Sequence, residues 1–125
     1  MNYKITIITP TFNSERTIAY NLESVKNQDY KNYEHLIIDN KSSDRTKEIV
    51  NKNINEKIKF FRKKDKGIYD AINKGIKVSN GEIISILHSD DFFFNNKVLS
   101  TLNILFNKHK EDIIYGDLIY VKKNN

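Results

Sequence analysis

Apolar positions along the chain alternate between short continuous runs and stripes of helical period. The first run, residues 4–10, is rich in β-branched side chains and predicts a buried strand that Pro10, having no N–H to donate, brings to an end. Ser14 is then placed to cap a helix with Ile18, Leu22 and Val25 on one face, fading near Gln28. Leu36, Ile37 and Ile38 mark a second strand over 34–39, and the polar stretch 40–44, where Ser42 or Ser43 is a candidate cap, leads into a helix over 45–53. A third strand is expected at 58–61, followed by a helix from about Gly67 that presents Ile68, Ile72 and Ile76 on one face and stops at Asn80-Gly81. Residues 83–87 predict a fourth strand and 96–108 a helix carrying Val98, Leu102 and Leu105. Residues 112–121 predict a fifth strand that bends at Gly116.

Strands that are apolar on both faces, alternating with helices, are the mark of an α/β domain: a mostly parallel sheet with helices on both faces. Right-handed crossovers put the C-terminal ends of all the strands on one edge, where open α/β sheets bind ligands. Three strand ends deliver polar side chains there: Thr9 to Asn13, Asp39 to Asp44, and His88 to Asp91. Ser14 and Ser43 read as ordinary cap and turn residues. Asp39 and the Asp90-Asp91 pair point to a site, because a carboxylate next to a buried strand is costly unless used or paired. Adjacent carboxylates suit a hard cation such as Mg²⁺ or Mn²⁺, and neighbours on an extended strand point opposite ways, so different tasks are expected of Asp90 and Asp91. His88 reads first as a hydrogen-bonded structural residue.

The chain of 125 residues is one domain in length and has no cysteine, so a disulfide scaffold, a thiolate metal site and a cysteine nucleophile are excluded. The first apolar run is too short for a signal segment or a membrane span, and the cytoplasm is the expected compartment. The net charge of +5 comes from lysines scattered through an Asn- and Ile-rich chain, without the interleaved basic and aromatic residues of a nucleic-acid platform. Arg62, Lys63, Lys64 and Lys66 follow the third strand, where they either attract a diphosphate or form a solvated turn. Neither G-x-G-x-x-G nor G-x-x-x-x-G-K-[ST] occurs, which excludes the usual dinucleotide and P-loop sites. A receiver domain is excluded too, since Thr9 to Asn13 stand where its acidic residues belong.

Four segments, in order, resemble the inverting glycosyltransferases of family two, the GT-A type that uses nucleotide-sugar donors. They are ITIITPTFN from Ile5, IIDNKSSDRT from Ile37, KGIYDAINKG from Lys66, which looks like the branch that builds bacterial surface polysaccharides, and LHSDD from Leu87. The resemblance spans essentially the whole chain and implies the Rossmann-like nucleotide-binding part of that fold. It implies that Thr9 and Thr11 line the nucleoside pocket, that Asn13 joins the nucleotide-sugar contacts, and that Asp39 reads the donor base through its ring N–H. Ser89-Asp90-Asp91 is similar to the D-x-D segment, with His88 where the first Asp often stands. The resemblance therefore implies a metal, Mn²⁺ or Mg²⁺, on Asp90 and Asp91, with Asp90 also touching the donor. Where the family often has a diphosphate-binding Arg, this chain has Asp70 and Asn73, and Lys66 is the expected substitute.

The resemblance implies a nucleoside-diphosphate sugar donor, with UDP first among nucleotides, a saccharide or lipid-linked acceptor, no nucleic acid, and work at the inner face of the membrane. In the family the general base and acceptor pocket follow the strand represented here by 113–121, so the base is expected beyond Asn125 and not at Asp112 or Asp117, and residues 1–125 are expected to be the donor-binding portion. The competing reading is a non-catalytic nucleotide- or partner-binding module that retains the fold.

Overall fold

The computed structural model describes residues 1–109 of the chain, and side chains as far as Lys108; the strand expected at 112–121, with Asp112, Gly116 and Asp117, lies outside the described residues. The elements alternate as β1 (Ile5–Thr11), α1 (Ile18–Lys26), β2 (Tyr33–Asp39), α2 (Thr46–Lys52), β3 (Ile58–Arg62), α3 (Ile68–Val78), β4 (Ile83–Ile86) and α4 (Val98–His109). The four strands pair in parallel, as the apolar runs predict, and stand in the order β3-β2-β1-β4. Every residue of β1 and β2 is buried, as expected of central strands covered on both faces.

Ile5, Ile7 and Ile37 face α1, α2 and α4, packing with Val25, Leu99, Leu22 and Val50. Ile8, Leu36 and Ile38 face α3 through Ala71. The stripe expected to bury α3 is displaced: Ile68 and Ile76 are each 47% exposed, and the buried residues are Ala71 and Gly75. The reason is proximity. A Cβ on Gly75 would lie 2.7 Å from Ile8 Cγ2, so the helix approaches the sheet along its small residues and its isoleucines flank the contact.

Pro10 does not end β1. It pairs with Ile38, while the β4 side of β1 is laddered only as far as Ile8, so the proline nitrogen faces no carbonyl that needs a donor. The serine caps are also not used as expected. The first turn before α1 closes on the Ser14 carbonyl, which accepts from Thr17 and Ile18, and α2 begins with Asp44 Oδ1 accepting the Thr46 N–H at 2.9 Å.

One buried carboxylate belongs to this framework. Glu34 Oε2 accepts from the Thr6 hydroxyl at 2.7 Å and the Asn80 N–H at 2.6 Å, and Lys59 Nζ lies 3.1 Å from Oε1. Burial alone would raise its pKa, but these partners outweigh burial and bring it to about 2. Thr6 Oγ1 in turn accepts the Gly81 N–H, tying the α3–β4 turn to the sheet. No helix among the described residues is long and apolar enough to cross a membrane.

Candidate functional site

All four strand ends open onto one cleft of about 1060 Å³. The end of β1 and the β1–α1 loop supply the longest wall, Pro10 through Thr17; Asn40 and Asp44 come from the loop after β2, Asp65 and Gly67 from the loop after β3, and His88 to Asp91 from the segment after β4. Five wall residues are carboxylates, Glu15, Asp44, Asp65, Asp90 and Asp91, against one guanidinium, Arg16. The cleft is thus acidic although the chain as a whole is basic.

The walls are stitched together by side chains that satisfy loop N–H groups. Asn13 N–H donates to Ser42 Oγ at 2.8 Å, and Ser43 N–H donates back to Asn13 Oδ1 at 2.9 Å. Ser14 N–H donates to Thr46 Oγ1, Glu15 N–H to Asp44 Oδ2, and Asp65 N–H to Asn40 Oδ1. Asn13 has φ 44° and Lys41 φ 49°, left-handed conformations that asparagine tolerates better than lysine. Burial would raise the Asp44 carboxyl, but the Thr46 hydroxyl and N–H and the Glu15 N–H hold it below the ordinary range.

Thr11 and Asn13 line the cleft, and so do Asp90 and Asp91. Thr9 does not reach it. Its side chain is fully buried and its hydroxyl bonds His35 Nε2 at 2.8 Å on the α1 face of the sheet. Thr9 shares a face with Thr11 but sits two residues farther from the strand end, and only the last residues of β1, Pro10 and Thr11, reach the cleft. Asp39 lies behind the wall, fully buried: Oδ2 accepts from Ser42 N–H and Arg62 Nε, each at 3.0 Å, and Oδ1 accepts from the Ser42 hydroxyl. Lys66 is exposed next to wall residue Gly67, and its N–H donates to Asp70 Oδ2 at 2.9 Å. Asp44 is in the wall as expected, and Glu15, Arg16 and Asp65 complete the walls without having been expected there. The signal for them was their place in loops following strands, which periodicity does not distinguish from solvent-facing turns.

At the acidic corner, Asp90 is exposed and Asp91 half-buried. Burial, and then the neighbouring Asp90 charge, push the Asp91 carboxyl up, with His88 opposing. Ser89 Oγ lies 2.6 Å from Ser14 Oγ, so the corner is fastened to the β1–α1 wall. Among the described residues no group of three His, Asp or Glu side chains converges as a metal cage. Two carboxylates beside an open cleft fit a hard cation that completes its shell with water and substrate phosphate.

The model of the family described as Glycosyl transferase family 2 matches residues 6–125. The chain belongs to glycosyltransferase family 2. The chain is similar to the PGL/p-HBAD biosynthesis glycosyltransferase of Mycobacterium tuberculosis, 30% identical over 122 residues that make up 94% of this chain and 48% of that protein. Escherichia coli WfgD, a UDP-Glc:alpha-D-GlcNAc-diphosphoundecaprenol beta-1,3-glucosyltransferase, is 32% identical over 125 residues, 99% of this chain and 49% of WfgD. The chain therefore spans about half the length of these relatives. Staphylococcus aureus TarS residues 1–349, solved with UDP-GlcNAc, superposes with a TM-score of 0.81 at 30% identity, over 87% of this chain and 32% of that one. The mannosyltransferase PcManGT of Pyrobaculum calidifontis, 22% identical, shares the fold at a TM-score of 0.73 over 84% of this chain and 32% of its own. The four-stranded parallel core of this family 2 chain is thus that of GT-A glycosyltransferases.

Proposed function

We propose that the chain binds the donor of a glycosyltransferase, a nucleoside-diphosphate sugar with UDP as its nucleotide, and that the enzyme transfers the sugar with inversion to a saccharide or lipid-linked acceptor. The observation that carries this reading is the cleft at the four strand ends of a family 2 chain, with five carboxylates and one guanidinium in its walls. An anionic diphosphate is repelled by such walls unless a cation enters with it, so the reading includes Mn²⁺ or Mg²⁺. When bound, the cation supplies Lewis-acid neutralisation of the leaving diphosphate as the sugar gains oxocarbenium character.

The chain's own residues divide the remaining work. Asp90 and Asp91 offer the carboxylate oxygens, and Thr11 and Asn13 border the nucleoside. Asp39 Oδ1 keeps acceptor capacity beyond its bond to the Ser42 hydroxyl, and we assign it to the base N–H, reached by a shift of the turn at Ser42. Thr9 supports this wall from behind through His35, and Lys66 adds a cation at the cleft edge. The group that deprotonates the acceptor is assigned to none of the described residues. We assign the activity to the cytoplasm, at the inner face of the membrane for a lipid-linked acceptor. That choice is supported by WfgD, whose name specifies a diphosphoundecaprenol acceptor.

Calorimetry of UDP, GDP and dTDP, each with Mn²⁺ and again with EDTA, tests the reading. UDP is expected to bind with Mn²⁺ and to be lost with EDTA. Binding of none of the three, or binding indifferent to EDTA, overturns it.

A further inference from the structure

Helix α1 and the turn that follows it carry a polar stripe where a helix facing a sheet is expected to be apolar. Asn21 is fully buried and Ser24, three residues on along the same side of the helix, is half-buried, while Gln28, just past the helix end at Asn27, is fully buried. Each reaches the backbone of the segment after β4. Asn21 Nδ2 donates to the carbonyls of His88 at 3.0 Å and Asp91 at 3.2 Å. Ser24 Oγ accepts the Phe93 N–H at 3.0 Å. Gln28 Nε2 donates to the Asn95 carbonyl at 2.6 Å, and its Oε1 accepts the Leu99 N–H at 3.1 Å. Two side chains of α1 and one from the turn just after it thus hold a segment some seventy residues away in sequence, from the acidic corner to the start of α4.

We propose that Asn21, assisted by Ser24 and Gln28, is the positioning residue of the Asp90-Asp91 corner, fixing the backbone from which both carboxylates meet the cation and diphosphate of the donor. The inference rests on the donor-site reading above. Two facts distinguish this from ordinary core hydrogen bonding. The Asn21 amide spends both hydrogens on the two carbonyls that bracket Ser89 and Asp90, and its Oδ1 is left without a partner in a fully buried position. The reverse amide orientation would set an oxygen against two carbonyl oxygens, so the amide is held one way round. A buried acceptor left unpaired opposes stability, which is the sign of a side chain placed for what its other end does. The second fact is that the Asp90 side chain makes no hydrogen bond to any of the described residues, so the orientation of the corner is set through the backbone that Asn21 grips.

The test uses the whole chain and compares Asn21→Asp, Asn21→Ser and Ser24→Ala with the wild type. Asn21→Asp keeps the shape and removes both hydrogens, Asn21→Ser keeps one short donor, and Ser24→Ala is mild enough to fold if the first does not. UDP affinity with Mn²⁺ is expected to fall about tenfold or more for Asn21→Asp, and by about threefold for Asn21→Ser and Ser24→Ala, as misplaced contacts do. Amide hydrogen exchange is expected to quicken over residues 88–96 while β1 and β2 stay protected, a pattern general destabilisation does not produce. Folded variants that bind UDP–Mn²⁺ as the wild type does, or that lose protection evenly across the sheet, overturn the inference alone. A wild type without Mn²⁺-dependent UDP binding overturns the donor-site reading, and this inference with it.

Discussion

Asp39 Oδ2 and Arg62 Nε lie 3.0 Å apart at paired positions of the parallel strands β2 and β3. The carboxylate is fully buried and the guanidinium partly exposed. Arg62 also donates through Nη2 to the Ser42 carbonyl at 3.0 Å, while Ser42 returns its N–H and hydroxyl to the carboxylate. Because Ser42 Oγ accepts the Asn13 N–H, this closed set of bonds is where the β1–α1 wall is anchored. Removing the cation leaves a buried charge short of a partner, so Arg62→Met is expected to lower unfolding free energy by about 3 kcal/mol. Arg62→Lys should recover little, since a point ammonium does not replace a planar fork holding two acceptors. Denaturant titration checks both; a cost for Arg62→Met within about 0.5 kcal/mol, the range of an ordinary surface change, would show the pair to be idle.

His35 couples stability to mild acid. The ring is buried beside Thr9, its Nδ1 has no partner, and burial lowers its pKa from 6.5 to about 3. The unfolded chain therefore binds a proton below pH 6.5 that the folded chain refuses until about pH 3. Stability from this group is complete above pH 6.5 and declines as pH falls through that window, at up to about 1.4 kcal/mol per pH unit. Unfolding measured at pH 7 and pH 5 should show the decline in the wild type, and His35→Gln should flatten it. Equal slopes would assign the acid sensitivity elsewhere.

Which parts of this were legible in the sequence follows from how locally each is specified. The strands and their parallel pairing were, because β-branched runs such as Ile5 to Ile8 and Leu36 to Ile38 fit a sheet covered on both faces. The α3 contact was not: Ile68, Ile72 and Ile76 make the better stripe by periodicity, but the distance of closest approach, set by Ile8, selects Ala71 and Gly75. At the site, Thr11, Asn13, Asp90 and Asp91 reach the cleft because they sit at or just past a strand end. Thr9 and Asp39 were expected at the site but not behind its wall, since the partners that enclose them, His35 and Arg62, come from neighbouring strands. The α1 polar stripe was invisible for the same reason, its acceptors lying far away in sequence.

Two glycines are required for space rather than for backbone freedom, and they should differ in cost. At Gly75 an added Cβ meets Ile8 side-chain atoms at 2.7 to 3.1 Å, so a rotamer or small helix shift relieves it. At Gly81 it would lie 2.6 Å from the Thr6 backbone nitrogen, in a strand that is central and fully buried. Gly75→Ala is expected to cost about 1 kcal/mol, overpacking being partly offset by better helix propensity. Gly81→Ala should cost about 3 kcal/mol and break the bond from its N–H to Thr6 Oγ1. Thermal unfolding of the two variants checks the ranking, and the reverse order would mean that the α3–β4 turn moves more easily than the helix.

The acidic corner is built against stability, which gives the donor-site reading an independent prediction. Burial and the Asp90 charge raise the Asp91 pKa, so the folded chain holds this proton more tightly than the unfolded one, and stability from this group falls as pH rises through its titration. At pH 7 the corner therefore carries a carboxylate the fold would be better off without. Asp91→Asn should raise the unfolding midpoint at pH 7, with the gain vanishing in acid where the wild-type carboxyl is protonated, and should abolish Mn²⁺-dependent UDP binding in the same protein. Asp90→Asn removes the like charge, lowers the Asp91 pKa, and should shift the acid limb of any remaining Mn²⁺-dependent binding to lower pH. Opposite effects of one substitution on stability and on binding are what a preorganised cation site produces. An Asp91→Asn variant that loses both would place the carboxylate in the framework instead.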